Sequence, residues 1–174
     1  SILNNVVASN PGLISFGSQG SGGDSMSSIL WANRSTTWKV EAITPEKILS
    51  KFKLNSKKLF IKIDIEGGEF TMLNELQKLF SQKNSTIFLS LHNKYHKQFL
   101  IEKYKKNNYL LRWINIRKDF VSTYRKLINI LPKDKKITID GRSLKINKIF
   151  YLYMFLFCKP FRERKFRDLL ITPL

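Results

Sequence analysis

Asp64-Ile65-Glu66-Gly67-Gly68-Glu69-Phe70 places three carboxylates and a glycine pair directly after the apolar run Leu59 to Ile63. Carboxylates so delivered can orient a substrate hydroxyl, accept its proton or hold a divalent cation through oxygen. Alternation over Ile61-Lys62-Ile63-Asp64-Ile65-Glu66 sends the isoleucines to one face of a strand and Lys62, Asp64 and Glu66 to the other. An aspartate closing an apolar strand costs stability unless it is paired or used, which makes Asp64 the leading catalytic candidate. Glu69 has a second reading as an acid favoured by the macrodipole in the first turn of a helix.

His92-Asn93-Lys94-Tyr95-His96 sets two histidines at helical spacing without the glutamate of the His-Glu-x-x-His zinc motif, so no metal site is expected there. His92 alone, at a strand end, suits a general base near neutral pH, with a hydrogen-bonded structural role as the alternative. His96 is expected at the surface. Cys158, inside an aromatic run, reads as core rather than nucleophile.

The elements that must position these groups are legible in part. Met72, Leu73, Leu76, Leu79 and Phe80 follow helical spacing, so the acids fall in a strand-to-helix turn, and Thr86 to Leu91 reads as the next strand. Strand, helix, strand is a βαβ unit, which implies a right-handed crossover and parallel neighbours, so that both strand ends, and with them Asp64 and His92, fall on one edge of the sheet, where ligands bind. Upstream, Asn5 to Ala8 and Leu13 to Phe16 read as strands around a turn, and Trp38 to Ile43 as another. Thr44-Pro45-Glu46 has the N-cap and first-position proline of a helix ending near Phe52. Downstream, a helix is expected from Lys94 to Asn107, an edge strand at Tyr109-Leu110-Leu111, and an amphipathic helix over Phe120 to Leu131. Gly17 to Asp24 is glycine-dense but has no Walker ending, and reads as a mobile loop.

A chain of 174 residues that is 43% hydrophobic can bury one core, and one domain over residues 1–174 is expected. A single cysteine rules out an intrachain disulfide and a zinc site of several cysteines. The first ten residues lack a signal-peptide pattern, so a cytoplasmic setting is the plain reading. The formal charge is +18, of which Ser1 to Ser90 carry +3 and the remainder +15. Such a field attracts nucleic acid, anionic lipid or phosphorylated sugars, unless the lysines are simply a solvated face. Ile149 to Cys158 is apolar but too short to cross a bilayer. With Lys159, Arg162, Arg164, Lys165 and Arg167 following it, contact with the inner face of a membrane is the alternative to a buried strand.

Lys62-Ile63-Asp64-Ile65-Glu66-Gly67-Gly68-Glu69, a leucine-rich helix and a strand ending Ser90-Leu91-His92 together resemble the FkbM-type methyltransferases, whose motif runs Lys-Ile-Asp-Val-Glu-Gly-Ala-Glu. Gly68 stands where the family has alanine. Val6 to Gly12 and Ile43 to Glu46 are weaker matches, and the resemblance covers roughly Asn5 to His92. It implies an α/β fold with a Rossmann-like class I sheet, mostly parallel, with helices on both faces and residues 112–174 as a basic extension. It also implies methyl transfer from S-adenosylmethionine to a hydroxyl of a saccharide or natural product. Asp64 would position or deprotonate the acceptor oxygen, with His92 as alternative base and Glu66, Glu69 and Lys62 shaping the acceptor site. The glycine-rich loop and acidic strand end that hold the cofactor in this family do not precede Ser1, so the expectation is a partial domain beginning near the third strand, its cofactor-binding residues unknown. A competing reading keeps the sheet without catalysis, as a basic module that binds nucleic acid or anionic membrane. Methylation of RNA would unite both, but no RNA-reading motif is present.

Overall fold

A computed structural model describes residues 3–18, 27–28, 36–65, 67–139, 142–143 and 167–174. Glu66, most of the glycine-dense loop, the Ile149 to Cys158 run and the basic stretch after it as far as Lys165 lie outside the described residues.

Two short apolar segments open the chain, β1 (Val6–Val7) and β2 (Gly12–Ser18). The turn between them ends at Gly12, whose φ of +125° is open to glycine and strained for other residues. The two strands do not pair with each other. After β3 (Ser27–Ser28), β4 (Thr36–Ile43) lies between them, parallel to β1 and antiparallel to β2, and gives the order β1-β4-β2-β3. Helix α1 (Pro45–Lys51) begins as its sequence dictates: Thr44 Oγ1 accepts from Lys47 N at 3.2 Å, and proline occupies the first turn, where its missing N–H costs nothing.

The second sheet starts with β5 (Leu59–Ile63), passes through a 3-10 turn (Gly68–Thr71) and helix α2 (Leu73–Phe80), and continues with β6 (Ser85–Leu91). β5 and β6 are parallel, with Ile61 opposite Ile87 and Ile63 opposite Leu89, so the expected βαβ unit forms. Helices α3 (Asn93–Lys103) and α4 (Tyr109–Ile130) follow, then β7 (Lys135–Ile139), β8 (Arg142–Ser143) and β9 (Arg167–Pro173). The order is β5-β6-β9-β7-β8.

That order corrects the expected mostly parallel sheet. β9 is antiparallel to both β6 and β7, and the first sheet is built around the antiparallel β2–β4 pair, so both sheets are mixed. The last described strand returns to the sheet and inserts between β6 and β7, a long-range pairing that local pattern does not encode. Lys135 marks the start of β7. Its buried Nζ donates to Gln82 O at 2.6 Å and to Ser85 O at 3.1 Å, tying β7 to the entrance of β6, and burial holds the ammonium below the usual lysine range.

Tyr109-Leu110-Leu111 is not an edge strand. It is the first turn of α4, capped by Asn108, whose Oδ1 accepts from Leu111 N at 2.9 Å. The 3.6-residue stripe of Tyr109, Trp113, Ile116, Phe120, Tyr124 and Leu127 runs the length of one helix, of which the expected Phe120 to Leu131 segment is the second half. The preceding helix ends at Lys103, short of the expected Asn107.

Among the described residues α2 and α4 pack on the sheet face that carries Ile63, Ile87, Leu89, Leu169 and Ile171. Phe60, on the other face of β5, is 70% exposed. Ile87→Ala opens a cavity at the centre of this core and is expected to cost about 2–5 kcal/mol, whereas Phe60→Ala is expected to stay within about 0.5 kcal/mol. Urea unfolding of the two variants measures both.

Candidate functional site

β5 runs out at Ile63 and hands the chain to Asp64. Gly67 then adopts φ +92°, the left-handed region that favours glycine, and the 3-10 turn doubles the chain back so that Glu69 comes to lie beneath the strand end. Glu69 is fully buried. Its Oε1 accepts from Ile65 N at 3.0 Å and meets His92 Nδ1 at 3.0 Å. Because β6 is parallel to β5, its carboxyl end brings His92 alongside Asp64, with Nε2 3.4 Å from Oδ1. Lys62 Nζ lies 3.2 Å from Asp64 Oδ2, on the face where alternation puts both residues.

The result is a line of Glu69, His92 and Asp64 that passes from the interior to solvent. The inner carboxylate fixes the imidazole, and the outer one, on a side chain 36% exposed, is open to a ligand. With each ring nitrogen facing a carboxylate oxygen, both nitrogens donate only as imidazolium. With one proton, held on Nδ1 by Glu69, Nε2 is an acceptor beside Asp64. This arrangement can take up and hold a proton at the strand ends. Asp64, Lys62, Glu69 and His92 are thus together, and the fifth candidate, Glu66, is outside the described residues. Tyr95, absent from the sequence candidates, stacks its ring on His92 at 5.9 Å; its place one turn into the helix behind His92 is the sequence signal for it.

His96 is buried, contrary to the surface position expected of it. Its ring stacks on Phe70 at 4.2 Å and on Phe120 at 5.8 Å, with Tyr124 edge-on at 6.4 Å. The apolar spacing of α3 is weak, so the sequence does not reveal which face the helix presents to α4. Tyr124 OH donates to Asn93 Oδ1 beside the same cluster. Burial lowers the pKa of His96 to about 4, with Lys103 adding to the effect and Asp119 opposing it.

A cleft of about 340 Å³ runs between β1, α1 and β5, lined by Val7, Ile48, Phe60, Ile65, Met72 and Lys62 among others. Lys62 is the one charged residue in an otherwise apolar lining. Among the described residues, no three His, Cys, Asp or Glu side chains are arranged to hold a metal ion.

A family model for the methyltransferase FkbM domain matches residues 3–124, more than two thirds of the chain. The chain belongs to the FkbM methyltransferase family. No curated protein and no solved structure gives a match. In this FkbM methyltransferase the matched span carries Lys62, Asp64, Glu69 and His92 and closes at Tyr124, the buried tyrosine of the His96 cluster.

Glu69→Ala strips a buried acceptor from Ile65 N and His92 Nδ1, and is expected to lower stability by about 1–3 kcal/mol for each donor left unpaired, read by thermal or urea unfolding. His96 is neutral when buried and titrates near 6.5 when unfolded, so below that pH the unfolded chain binds more protons. Its contribution is therefore complete above about pH 6.5, declines as pH falls toward about 4, and amounts to roughly 3 kcal/mol over that window. His96→Phe keeps the ring stack and removes this slope, which unfolding midpoints measured from pH 7 to 4 will show (a range set by the shift).

Proposed function

We propose that this FkbM methyltransferase methylates a hydroxyl oxygen of a saccharide or natural product, with S-adenosylmethionine as donor and Asp64 as the group that receives the acceptor proton. The observation that carries this reading is the line from buried Glu69 through His92 to half-exposed Asp64, with 3.0 Å and 3.4 Å between successive groups. A neutral hydroxyl oxygen cannot keep its proton once it bonds to a methyl group, so a positioned base accelerates the step. General-base help of this kind is worth about 10²–10⁴-fold.

Asp64 accepts the hydroxyl hydrogen bond and so turns an oxygen lone pair outward. His92, held in orientation by Glu69, stands at Nε2 to share the released proton or to take it directly. Lys62 steadies the outer oxygen of Asp64 and can donate to further acceptor hydroxyls. It is exposed, so the ion pair itself adds little stability.

S-adenosylmethionine would supply an electrophilic methyl carried on a sulfonium. The described lining of the cleft does not fit that donor: no carboxylate lies in the wall to face the sulfonium or the ribose hydroxyls. The described residues therefore support the acceptor side of the reaction.

Transfer of labelled methyl from S-adenosylmethionine to a panel of mono- and oligosaccharides tests the reading. Asp64→Asn is expected to lower kcat by about 10²–10⁴-fold with the fold intact by circular dichroism. Full activity in that variant sinks the role of Asp64. If no acceptor is methylated while polyanions bind with steep salt dependence, the basic binding module becomes the better reading.

A further inference from the structure

The apolar stripe of α4 does not stop where the helix leaves the core. Ile116, Tyr124, Leu127 and Ile128 are buried, but Tyr109 is 73% exposed and Leu110 70%, with Leu111, Trp113 and Ile114 also exposed. Five of the ten large apolar side chains exposed among the described residues thus crowd into the first six positions of one helix. An amphipathic helix that met only water there would turn polar as it left the core.

The surroundings of this crest are predominantly cationic. Residues 105–118 contain Lys105, Lys106, Arg112, Arg117 and Lys118 and no aspartate or glutamate, and the first turn of α4 carries no acid. Lys97 of α3 reaches to 6.0 Å from the Trp113 ring centre, and Tyr109 packs edge-on against the same ring at 6.3 Å. The nearby acids are engaged: Glu102 with Lys105, and Asp119 with Lys103 and Tyr104. Cations gathered at a helix N-terminus oppose the macrodipole, an arrangement that an external anion relieves.

We propose that the amino-terminal end of α4 seats the protein on an anionic lipid surface. Leu110 and Ile114 enter the headgroup boundary, Tyr109 and Trp113 lie at its level, and the lysines and arginines meet lipid phosphates and carboxylates. Each part matches what an interfacial helix needs: an apolar face, amphipathic aromatic rings and long cationic side chains that reach the headgroups. No described helix is long and apolar enough to cross a membrane, so the contact is one of lying on the surface. A second copy of the chain fits less well, because it would bring the same cations face to face, and nucleic acid leaves Leu110 and Ile114 without an apolar partner. The inference is independent of methyl transfer.

Flotation of the intact protein with vesicles tests it, using phosphatidylcholine alone and phosphatidylcholine mixed with phosphatidylserine. The protein is expected to float with the mixed vesicles only, and added salt to weaken that binding. Leu110→Ser with Ile114→Ser, both at exposed positions, is expected to lower partitioning by about tenfold or more, and Lys106→Gln with Lys118→Gln to lower it as well. Binding to neither vesicle overturns the proposal. So does binding that both apolar substitutions leave unchanged, which would make it a property of overall charge. If the apolar substitutions instead abolish self-association in sedimentation velocity, or binding to a single-stranded RNA, while no vesicle binds, the crest belongs to that partner and the proposal fails.

Discussion

Glu69 Oε1 serves two donors at once, Ile65 N and His92 Nδ1, in a position solvent does not reach. A carboxylate taken so far from water is tolerable only with such partners, and removing either would leave a costly unpaired group. The pair of bonds joins the end of β5 to the end of β6, which the parallel ladder brings close without fixing their side chains. Gly67 provides the reversal that lets Glu69 reach back, and Phe70, next in the turn, supplies the ring on which His96 stacks. One buried acid thus links the strand ends, the reversing turn and the aromatic packing of α3 against α4.

The parts of this site that lie close together in sequence were the legible parts. Alternation from Leu59 to Ile63 gave β5, Thr44-Pro45 gave the start of α1, and the spacing from Met72 to Phe80 located α2 after the turn. Asp64 and His92 could be set on one sheet edge because the two strands of a βαβ unit run parallel, so their carboxyl ends coincide. What was hidden depends on contacts between distant segments. β7 and β9 are short runs that mean little until paired with each other and with β6. Tyr109-Leu110-Leu111 has strand-like composition, and only the Asn108 cap and the stripe continuing to Leu127 make it helical. His96 was misplaced because burial in a weakly patterned helix is decided by the neighbour it meets, here Phe70 and Phe120.

The chemistry is distributed unevenly over the molecule. Polar groups able to manage a proton converge at the ends of β5 and β6, while the adjoining cleft is walled by apolar side chains and a single lysine. Family membership supplies the reaction class, and the strand ends supply a physical account of how an acceptor oxygen would be relieved of its proton. The positive charge lies mostly in the other half of the sequence, beyond the residues that form this line. The polar line at the strand ends and the electrostatic field are therefore carried by different stretches of the sequence.

β5 is the outermost strand of its described sheet, with Phe60 turned outward and Lys57, Lys58 and Lys62 exposed around it. A strand edge of that kind is a template for another copy, and flanking lysines are the usual guard against such stacking. The guard works by mutual repulsion, so it depends on the net charge remaining uncompensated. At an anionic surface the charge is compensated while the local concentration of chains rises. Lys57, Lys58 and Lys62 would then protect the strand edge least, so the conditions that compensate the charge are those in which this edge is most open to pairing.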